Sequence, residues 1–203
     1  MAETRPSQKT LVVIKPDGVQ RSLIGEIIKR YERVGLKLVA LKMTIPSEDL
    51  ARNHYMVGGE EWLENVGHKA MASYEKKGLE SPFKTPRECG EAVLARNAKY
   101  LSAGPVIAMI WQGNQAVELV RKITGGTEPL SSDVGTVRGD YTLDSYALAD
   151  SGERSVRNLI HASGTVEEAN KEIAIWFQAE DILNYRLIAE EILYDVNLDG
   201  IKE

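Results

Sequence analysis

The chain has 203 residues, of which 43% are apolar and 27% are charged, a composition typical of a globular domain with its own hydrophobic core. Its formal net charge of −5 argues against broad nucleic-acid binding, which depends on positive charge, but it does not exclude a small anionic ligand. No apolar run is long enough to span a bilayer, the first residues lack the apolar core of a signal peptide, and Cys89 is the single cysteine, so we predict a cytoplasmic protein without a membrane partner.

The chain opens with a strand, a helix and a second strand. Residues 10–15 are a short, β-branched run that Pro16-Asp17-Gly18 closes, which predicts a buried strand followed by a turn. Ser22 is a candidate N-cap for an amphipathic helix over residues 23–34. Residues 36–44 alternate loosely and predict the second strand.

Three helices and a third strand are predicted next. Residues 46–49 begin a helix with acidic residues in its first turn, where the helix dipole favours them. A charged segment predicts a helix over residues 60–76. Thr85 caps a further helix to about residue 100, with proline at the first helical position and glutamate three residues after the cap. Residues 106–111 are an apolar run that predicts the third buried strand.

The second half of the chain is less regular. Apolar positions between residues 117 and 123 predict a helix, which two glycines end. We expect a turn-rich loop over residues 127–140, an irregular polar segment over 142–155 and a very short fourth strand at 159–160.

Two predicted helices complete the pattern, one from the Thr165 capping box to residue 177 and one over residues 181–193. The element order β-α-β-(α)-β-α-β is that of the split-βαβ plan. We therefore predict an α+β fold of ferredoxin-like type, with a four-stranded antiparallel sheet and helices on one face.

The sequence has no P-loop, no Gly-x-Gly-x-x-Gly loop and no spacing typical of zinc ligands, so any phosphate chemistry must come from scattered residues. Of the three histidines, His54 and His68 are interpreted as surface or structural residues. His161 follows an apolar pair and lies between Asn158 and Ser163, which makes it a candidate nucleophile. The alternative is a satisfied, partly buried histidine.

Glu172 lies on the predicted helix that follows, on the same face as Thr165 and Glu168. It either orients the imidazole of His161 or is a solvated glutamate. In a regular strand Asn158 and His161 point to opposite faces, so both meet one ligand only if the strand ends or twists between them.

Lys15, Arg121 and Arg138 are the candidate phosphate-binding cations. Each has a simpler interpretation: Lys15 as an edge lysine that aids solubility, Arg121 as a surface charge, and Arg138 as the partner of Asp140 in a salt bridge. Together with His161 they predict phosphoryl transfer through a phosphohistidine.

Three stretches of the chain resemble, in the same order, the hallmark stretches of the nucleoside diphosphate kinase family. They are Lys15-Pro16-Asp17-Gly18-Val19-Gln20-Arg21, Gly135-Thr136-Val137-Arg138-Gly139-Asp140-Tyr141 and Asn158-Leu159-Ile160-His161-Ala162-Ser163. Three motifs in order are more specific than any one of them, and the likeness covers nearly the whole chain outside two insertions.

The resemblance implies a ping-pong kinase, in which His161 takes the γ-phosphate of a nucleoside triphosphate, typically ATP, and passes it to a nucleoside diphosphate. It gives the phosphate and ribose contacts to Lys15, Tyr55, Arg121, Thr127, Arg138 and Asn158. It places Ser163 and Glu172 beside the histidine and expects Mg²⁺ on the phosphates rather than in a protein cage. It also implies a homo-oligomer, either a tetramer or a hexamer.

The chain departs from the family pattern at insertions near residues 57–91 and 143–154 of what we predict to be one kinase-like domain, 1–203. The first makes it about thirty residues longer than usual members, a length typical of a functional or self-folded segment. Family members stack the base on an aromatic residue in that region. Here Val93 matches by position and Trp62 by chemistry, and both interpretations stay open. A second hypothesis is a nucleotide-binding module whose insertions block or repurpose the cleft.

Overall fold

The computed structural model describes residues 7–76, 78 and 80–194. Its four strands are β1 (Gln8–Ile14), β2 (Lys37–Thr44), β3 (Val106–Gly113) and β4 (Ile160–Ala162). They form one sheet in the order β2-β3-β1-β4, and every neighbouring pair is antiparallel. The predicted four-stranded antiparallel sheet is therefore confirmed.

Ten α-helices and two 3₁₀ turns surround the sheet in the described part of the chain. The helices are α1 (Pro16–Gln20), α2 (Ile24–Glu32), α3 (Glu48–Tyr55), α4 (Gly59–Lys76), α5 (Pro86–Leu101), α6 (Ala116–Thr124), α7 (Val137–Tyr141), α8 (Tyr146–Ser151), α9 (Val166–Trp176) and α10 (Glu190–Tyr194). The 3₁₀ turns are Met56–Gly58 and Ala179–Asp181. Among these described helices, none is long and apolar enough to cross a membrane.

Helices cover both faces of the sheet, so the prediction that they lie on one face was wrong. One hydrophobic cluster packs α2 and α6 on one face, and a second packs α3, α5 and α9 on the other. Alternate residues of a strand point to opposite faces. Accordingly, Val12 and Ile14 of β1 enter the first cluster, whereas Leu11 and Val13 enter the second. This central strand is buried on both sides, which explains its unbroken apolar run.

The predicted caps at Thr85 and Thr165 are confirmed, Ser47 is a cap that was not predicted, and the predicted cap at Ser22 was wrong. Hydroxyl oxygens of Ser47, Thr85 and Thr165 accept hydrogen bonds from backbone N–H groups three residues on and begin α3, α5 and α9. Ser22, by contrast, has a φ of 57° and caps nothing, because Leu23 is the residue that precedes α2.

Three short helices lie in segments that were predicted to be non-helical. The turn at residues 16–18 is the short helix α1, the loop 127–140 contains the start of α7, and the segment 142–155 contains α8. Helices of five or six residues are too short for apolar periodicity to reveal.

The helix predicted over residues 181–193 is limited to α10. Upstream of it, the Leu183 N–H donates to Val39 O at 2.8 Å and Lys37 Nζ donates to Tyr185 O at 2.8 Å, so this segment bonds to the edge strand β2 rather than to itself. Residues 195–203, the polar tail that follows α10, lie outside the described residues.

Candidate active site

The chain breaks its strand geometry immediately before the candidate nucleophile. Leu159 has a φ of 65°, a left-handed conformation that is rare for a residue with a side chain, and β4 begins only at Ile160. The Leu159 carbonyl accepts from Lys15 N at 2.8 Å, which holds the distorted residue against the end of β1. The break lies between Asn158 and His161, as the sequence required if both were to face one ligand.

A glycine allows this close approach. A Cβ on Gly18 would lie 2.7 Å from Ile14 Cγ2 and 3.1 Å from the Leu159 carbonyl oxygen, so any larger residue would push α1 away from the strand ends. The hallmark Lys15-Pro16-Asp17-Gly18 stretch therefore brings Lys15 next to the segment that carries His161.

His161, Glu172 and Ser163 come together as predicted. The Nε2 atom of His161 is buried 2.9 Å from Glu172 Oε1, off the N–H axis of the ring, so the contact is electrostatic rather than a directed hydrogen bond. The other carboxylate oxygen accepts from Ser163 Oγ at 2.6 Å. Glu172 is thus an oriented, buried carboxylate beneath a histidine whose side chain is 17% exposed. It is not a solvated glutamate.

His54 lies beside the candidate nucleophile, a position that was not predicted. Its side chain is buried, its ring centre is 4.2 Å from that of His161, and the two planes meet at 83°. Trp176 Nε1 donates to His54 Nδ1 at 3.2 Å. Burial, then the neighbouring His161 and Lys15, holds the pKa of His54 well below its usual value, so the ring is neutral. Of the two interpretations of His54, the structural one agrees with its burial and the surface one was wrong. His68, by contrast, is exposed.

The spacing of Glu172 and Trp176 is the one sequence feature that indicates this buried cluster around His161. Trp176 lies four residues after Glu172 on α9, so both side chains occupy one helix face.

Within the described residues, His54, His161 and Glu172 are the one His/Cys/Asp/Glu group that could hold a metal ion, with ligand atoms within 4.8 Å of one another. Two imidazoles and a carboxylate suit zinc or copper better than magnesium.

Lys15 is buried and faces the same region. Its Nζ donates to Asn158 Oδ1 at 2.8 Å and lies 4.9 Å from the centre of the Tyr100 ring. Burial, and next the charge of Arg138, lowers the pKa of Lys15 to about 7. Asn158 Nδ2 in turn donates to Thr127 O at 2.9 Å. Asn158 therefore ties the lysine to the Thr127 loop, and Lys15 is not an edge residue.

Arg138 organises the backbone around the histidine. Its guanidinium donates to the carbonyls of Gly125, Gly126, Asn158 and Ile160 at 2.6–3.2 Å. Burial lowers its pKa to about 10, so it stays charged at neutral pH. The alternative of a salt bridge with Asp140 was wrong, because Asp140 pairs with Arg30.

The remaining candidates line the approach to this centre less closely. Tyr55 has a buried hydroxyl without a hydrogen-bond partner, and its ring centre is 6.3 Å from that of His161. Trp62 stacks on Tyr55 with ring centres 6.4 Å apart and planes at 22°. Arg121 and Thr127 are exposed, with Arg121 close enough to Arg138 for charge repulsion, and Val93 is half-buried on α5.

A family model described as nucleoside diphosphate kinase matches residues 8–73 and 87–182 of this chain. The chain belongs to the nucleoside diphosphate kinase family. A nucleoside diphosphate kinase of Pyrobaculum aerophilum is 44% identical over 182 residues, which are 88% of this chain and 99% of that protein. Nucleoside diphosphate kinase A of the dog is 38% identical over 93% of this chain and 98% of its own length.

Solved structures agree with this assignment of the family. The crystal structure of an NDP kinase from Pyrobaculum aerophilum superposes with a TM-score of 0.85 at 42% identity and covers 88% of this chain and 100% of its own. A transition-state mimic of the nucleoside-diphosphate kinase from Borrelia burgdorferi, with bound vanadate and ADP, gives 0.76 at 37% identity over 92% of this chain and 96% of its own. The chain is accordingly an enzyme of the phosphotransferase class, and its α+β ferredoxin-like fold is confirmed.

Proposed function

We propose that His161 is the phosphorylated residue of this nucleoside diphosphate kinase, which accepts the γ-phosphate of a nucleoside triphosphate and returns it to a nucleoside diphosphate. One observation carries the proposal. A partly exposed imidazole has a buried, oriented carboxylate beside one ring nitrogen, and the segment that carries it bonds to both Lys15 and Arg138. This arrangement supplies a nucleophile and charge neutralisation, which are what phosphoryl transfer needs from a protein.

The orientation of the ring assigns the reacting atom. Nε2 is buried against Glu172, so Nδ1 is the nitrogen left to attack phosphorus. The Nδ1–P bond forms as the bond between the γ-phosphorus and the bridging oxygen breaks, and the nucleoside diphosphate leaves with the electron pair of that bond. The ring gains positive charge during attack, and the carboxylate beneath Nε2 stabilises it. Transfer to the second nucleotide reverses these steps.

Cations from three parts of the chain neutralise the phosphates in this proposal. Lys15 is buried and donates to Asn158, Arg138 donates to the Ile160 carbonyl next to His161, and Arg121 supplies an exposed charge near Arg138. Asn158 and Thr127 complete the phosphate and ribose contacts. The buried, unpaired hydroxyl of Tyr55 gives a further donor.

Mg²⁺ enters as part of the substrate, bound to the nucleotide phosphates. Its preferred ligands are oxygens, and it keeps several of its own waters. The donors gathered here are mainly a lysine, guanidinium groups and imidazoles, which suit a phosphate rather than a bare magnesium ion. The phosphates therefore carry the ion, and the protein holds the phosphates.

Trp62 is the better candidate for the base-stacking residue. Its ring stacks on that of Tyr55, whose own ring meets the His161 ring edge-on, so the two aromatic side chains form a continuous series that starts at His161. Val93 has no π face with which to stack. Trp62→Ala should raise the KM for nucleotide more than Val93→Ala does, and equal effects would contradict the assignment.

The oligomeric state and the location extend the proposal. We infer a homo-tetramer or homo-hexamer, which multi-angle light scattering would identify, with a monomer as the contradictory result. A cytoplasmic location stays a prediction. It is consistent with Cys89, a free and buried thiol.

Steady-state kinetics test the proposed function against the nucleotide-binding alternative. With Mg·ATP as donor and GDP as acceptor, a phosphoenzyme route gives parallel double-reciprocal lines when the acceptor concentration is varied at several donor concentrations. A module whose insertions block the cleft binds nucleotide without turnover. Intersecting lines would overturn the covalent route, and bound nucleotide without turnover would favour the binding module.

A further inference from the structure

Arg157 is a cation beside the phosphate site that neither the motifs nor the family assignment gives a role. It immediately precedes Asn158, and its guanidinium carbon lies 4.7 Å from the centre of the Tyr100 ring. Lys15 Nζ lies 4.9 Å from the centre of the same ring. Two cations therefore lie near the Tyr100 ring. The electron-rich face of the ring attracts each of them, but the two like charges stay close together.

No carboxylate neutralises Arg157 within the parts of the chain that the structure describes. The neighbouring Arg154, by contrast, makes a two-pronged ion pair with Asp144 at 2.6 and 2.9 Å. Arg157 is exposed and contacts a ring rather than an acid. An unpaired guanidinium next to a buried lysine is suited to binding an anion from outside.

The second insertion fixes the backbone of Arg157 on both sides. The buried carboxylate of Asp144 accepts from the Arg157 N–H at 2.5 Å, and Thr142 Oγ1 donates to the Arg157 carbonyl at 3.0 Å. The same insertion reaches the Thr127 loop, because Leu130 N donates to Asp144 O at 3.2 Å and Tyr146 N donates to Glu128 Oε1 at 2.8 Å. It therefore bridges the two chain segments that flank the phosphate site.

We propose that Arg157, held over Tyr100 by the second insertion, is a further phosphate-binding residue that engages the nucleotide polyphosphate beside Lys15. The inference rests on the proposed phosphohistidine function and deepens it. It also gives the second insertion a function, which is to hold the Arg157 guanidinium in place at the phosphate site. The charge of Arg157 also helps to lower the pKa of Lys15, as expected for two cations held close together.

The test compares Arg157→Gln and Arg157→Lys with wild type in single-turnover phosphorylation by Mg·ATP. Loss of one charged phosphate contact should lower kcat/KM about 10–100-fold for Gln, and Lys should recover most of it. Arg33→Gln, an exposed arginine at the end of α2, is the matched control and should equal wild type. Asp144→Ala should lower the rate with Arg157 still present, because it frees the backbone that positions the guanidinium.

The pH profile separates phosphate binding from a packing role. Removing the charge of Arg157 raises the pKa of Lys15, so the falling limb of kcat/KM should move to higher pH in Arg157→Gln. Added salt should slow wild type more than this variant. If Arg157→Gln takes phosphate at the wild-type rate, with the wild-type pH profile and salt dependence, this inference alone is overturned. Wild-type protein that takes no phosphate would overturn it together with the proposed function.

Discussion

Ser163 Oγ donates to Glu172 Oε2 at 2.6 Å while Glu172 Oε1 lies 2.9 Å from His161 Nε2, so one buried carboxylate joins the serine to the histidine. The serine fixes the direction of the carboxylate. The carboxylate in turn places negative charge beneath the ring that gains positive charge during attack. The hallmark spacing of His161 in β4 and Ser163 just after it is therefore useful only because α9 brings Glu172 across.

Glu172→Gln should slow phosphorylation of His161 about 10–100-fold, since a charge-assisted contact is worth about 1.5–3 kcal/mol and the amide carries no charge. Rapid-quench measurement of a single turnover with Mg·ATP gives the rate. Glu167→Gln, an exposed glutamate on the same helix, is the control and should leave the rate unchanged. Equal rates for the two variants would remove Glu172 from the mechanism.

The activity should fall as pH rises through about 7, because neutral Lys15 no longer neutralises phosphate. A profile of kcat/KM against pH reports the free enzyme and should show this falling limb. Lys15→Met should lower the activity and abolish that limb. A wild-type profile that stays flat from pH 7 to 10 would show that Lys15 keeps its charge.

The same group affects stability with a definite sign. The unfolded lysine has its ordinary pKa of 10.5 and the folded one about 7, so between these values the unfolded chain binds more protons. The free energy of unfolding should therefore rise with pH across that window in wild type relative to Lys15→Met. Urea denaturation at pH 7 and pH 9 measures it, and parallel pH trends in the two proteins would contradict the burial of the charge.

Arg138 and Arg121 should differ in stability although both serve the phosphates. Arg138→Ala leaves the buried Ile160 carbonyl without a donor, whereas the Asn158 carbonyl still accepts from Ile160 N, so the free energy of unfolding should fall by about 1–3 kcal/mol. The exposed Arg121→Ala should stay within about 0.5 kcal/mol of wild type. Both variants should phosphorylate slowly. Equal urea midpoints for the two would contradict the framing role of Arg138.

Trp176→Phe replaces the indole by a smaller ring and removes the N–H from which His54 Nδ1 accepts. Because a buried acceptor without a donor costs about 1–3 kcal/mol, and the smaller ring also leaves a cavity in the core, we expect a stability loss of at least that size. Urea denaturation checks it, with Trp62→Phe as a control that should stay near wild type. A variant as stable as wild type would mean that another group satisfies His54.

The sheet and the hallmark residues could be predicted from the sequence because their signals are local. Strands such as β1 are continuous apolar runs, and the turn, glycine and histidine motifs are local in sequence. The packing on both faces was signalled by the unbroken run Leu11-Val12-Val13-Ile14, which a strand with one solvated face would not show. The prediction of helices on one face only did not take this run into account.

What the sequence could not reveal depends on contacts between distant segments. The partners of Arg138 are backbone carbonyls, which leave no residue signature. His54 gave no sign of which helix face it occupies, and its contact with His161 exists only because α3 packs on the sheet face of Val13, the strand partner of His161. The position of Arg157 over Tyr100 likewise follows from an insertion that looked irregular.

The most direct measurement is the site of the phosphate on the enzyme itself. Protein incubated with Mg·ATP and digested at alkaline pH should yield, by mass spectrometry, an acid-labile phosphate on the peptide that contains His161, and GDP added before digestion should remove it. His161→Asn should carry none. A phosphate on another residue, or turnover by His161→Asn at the wild-type rate, would contradict the account.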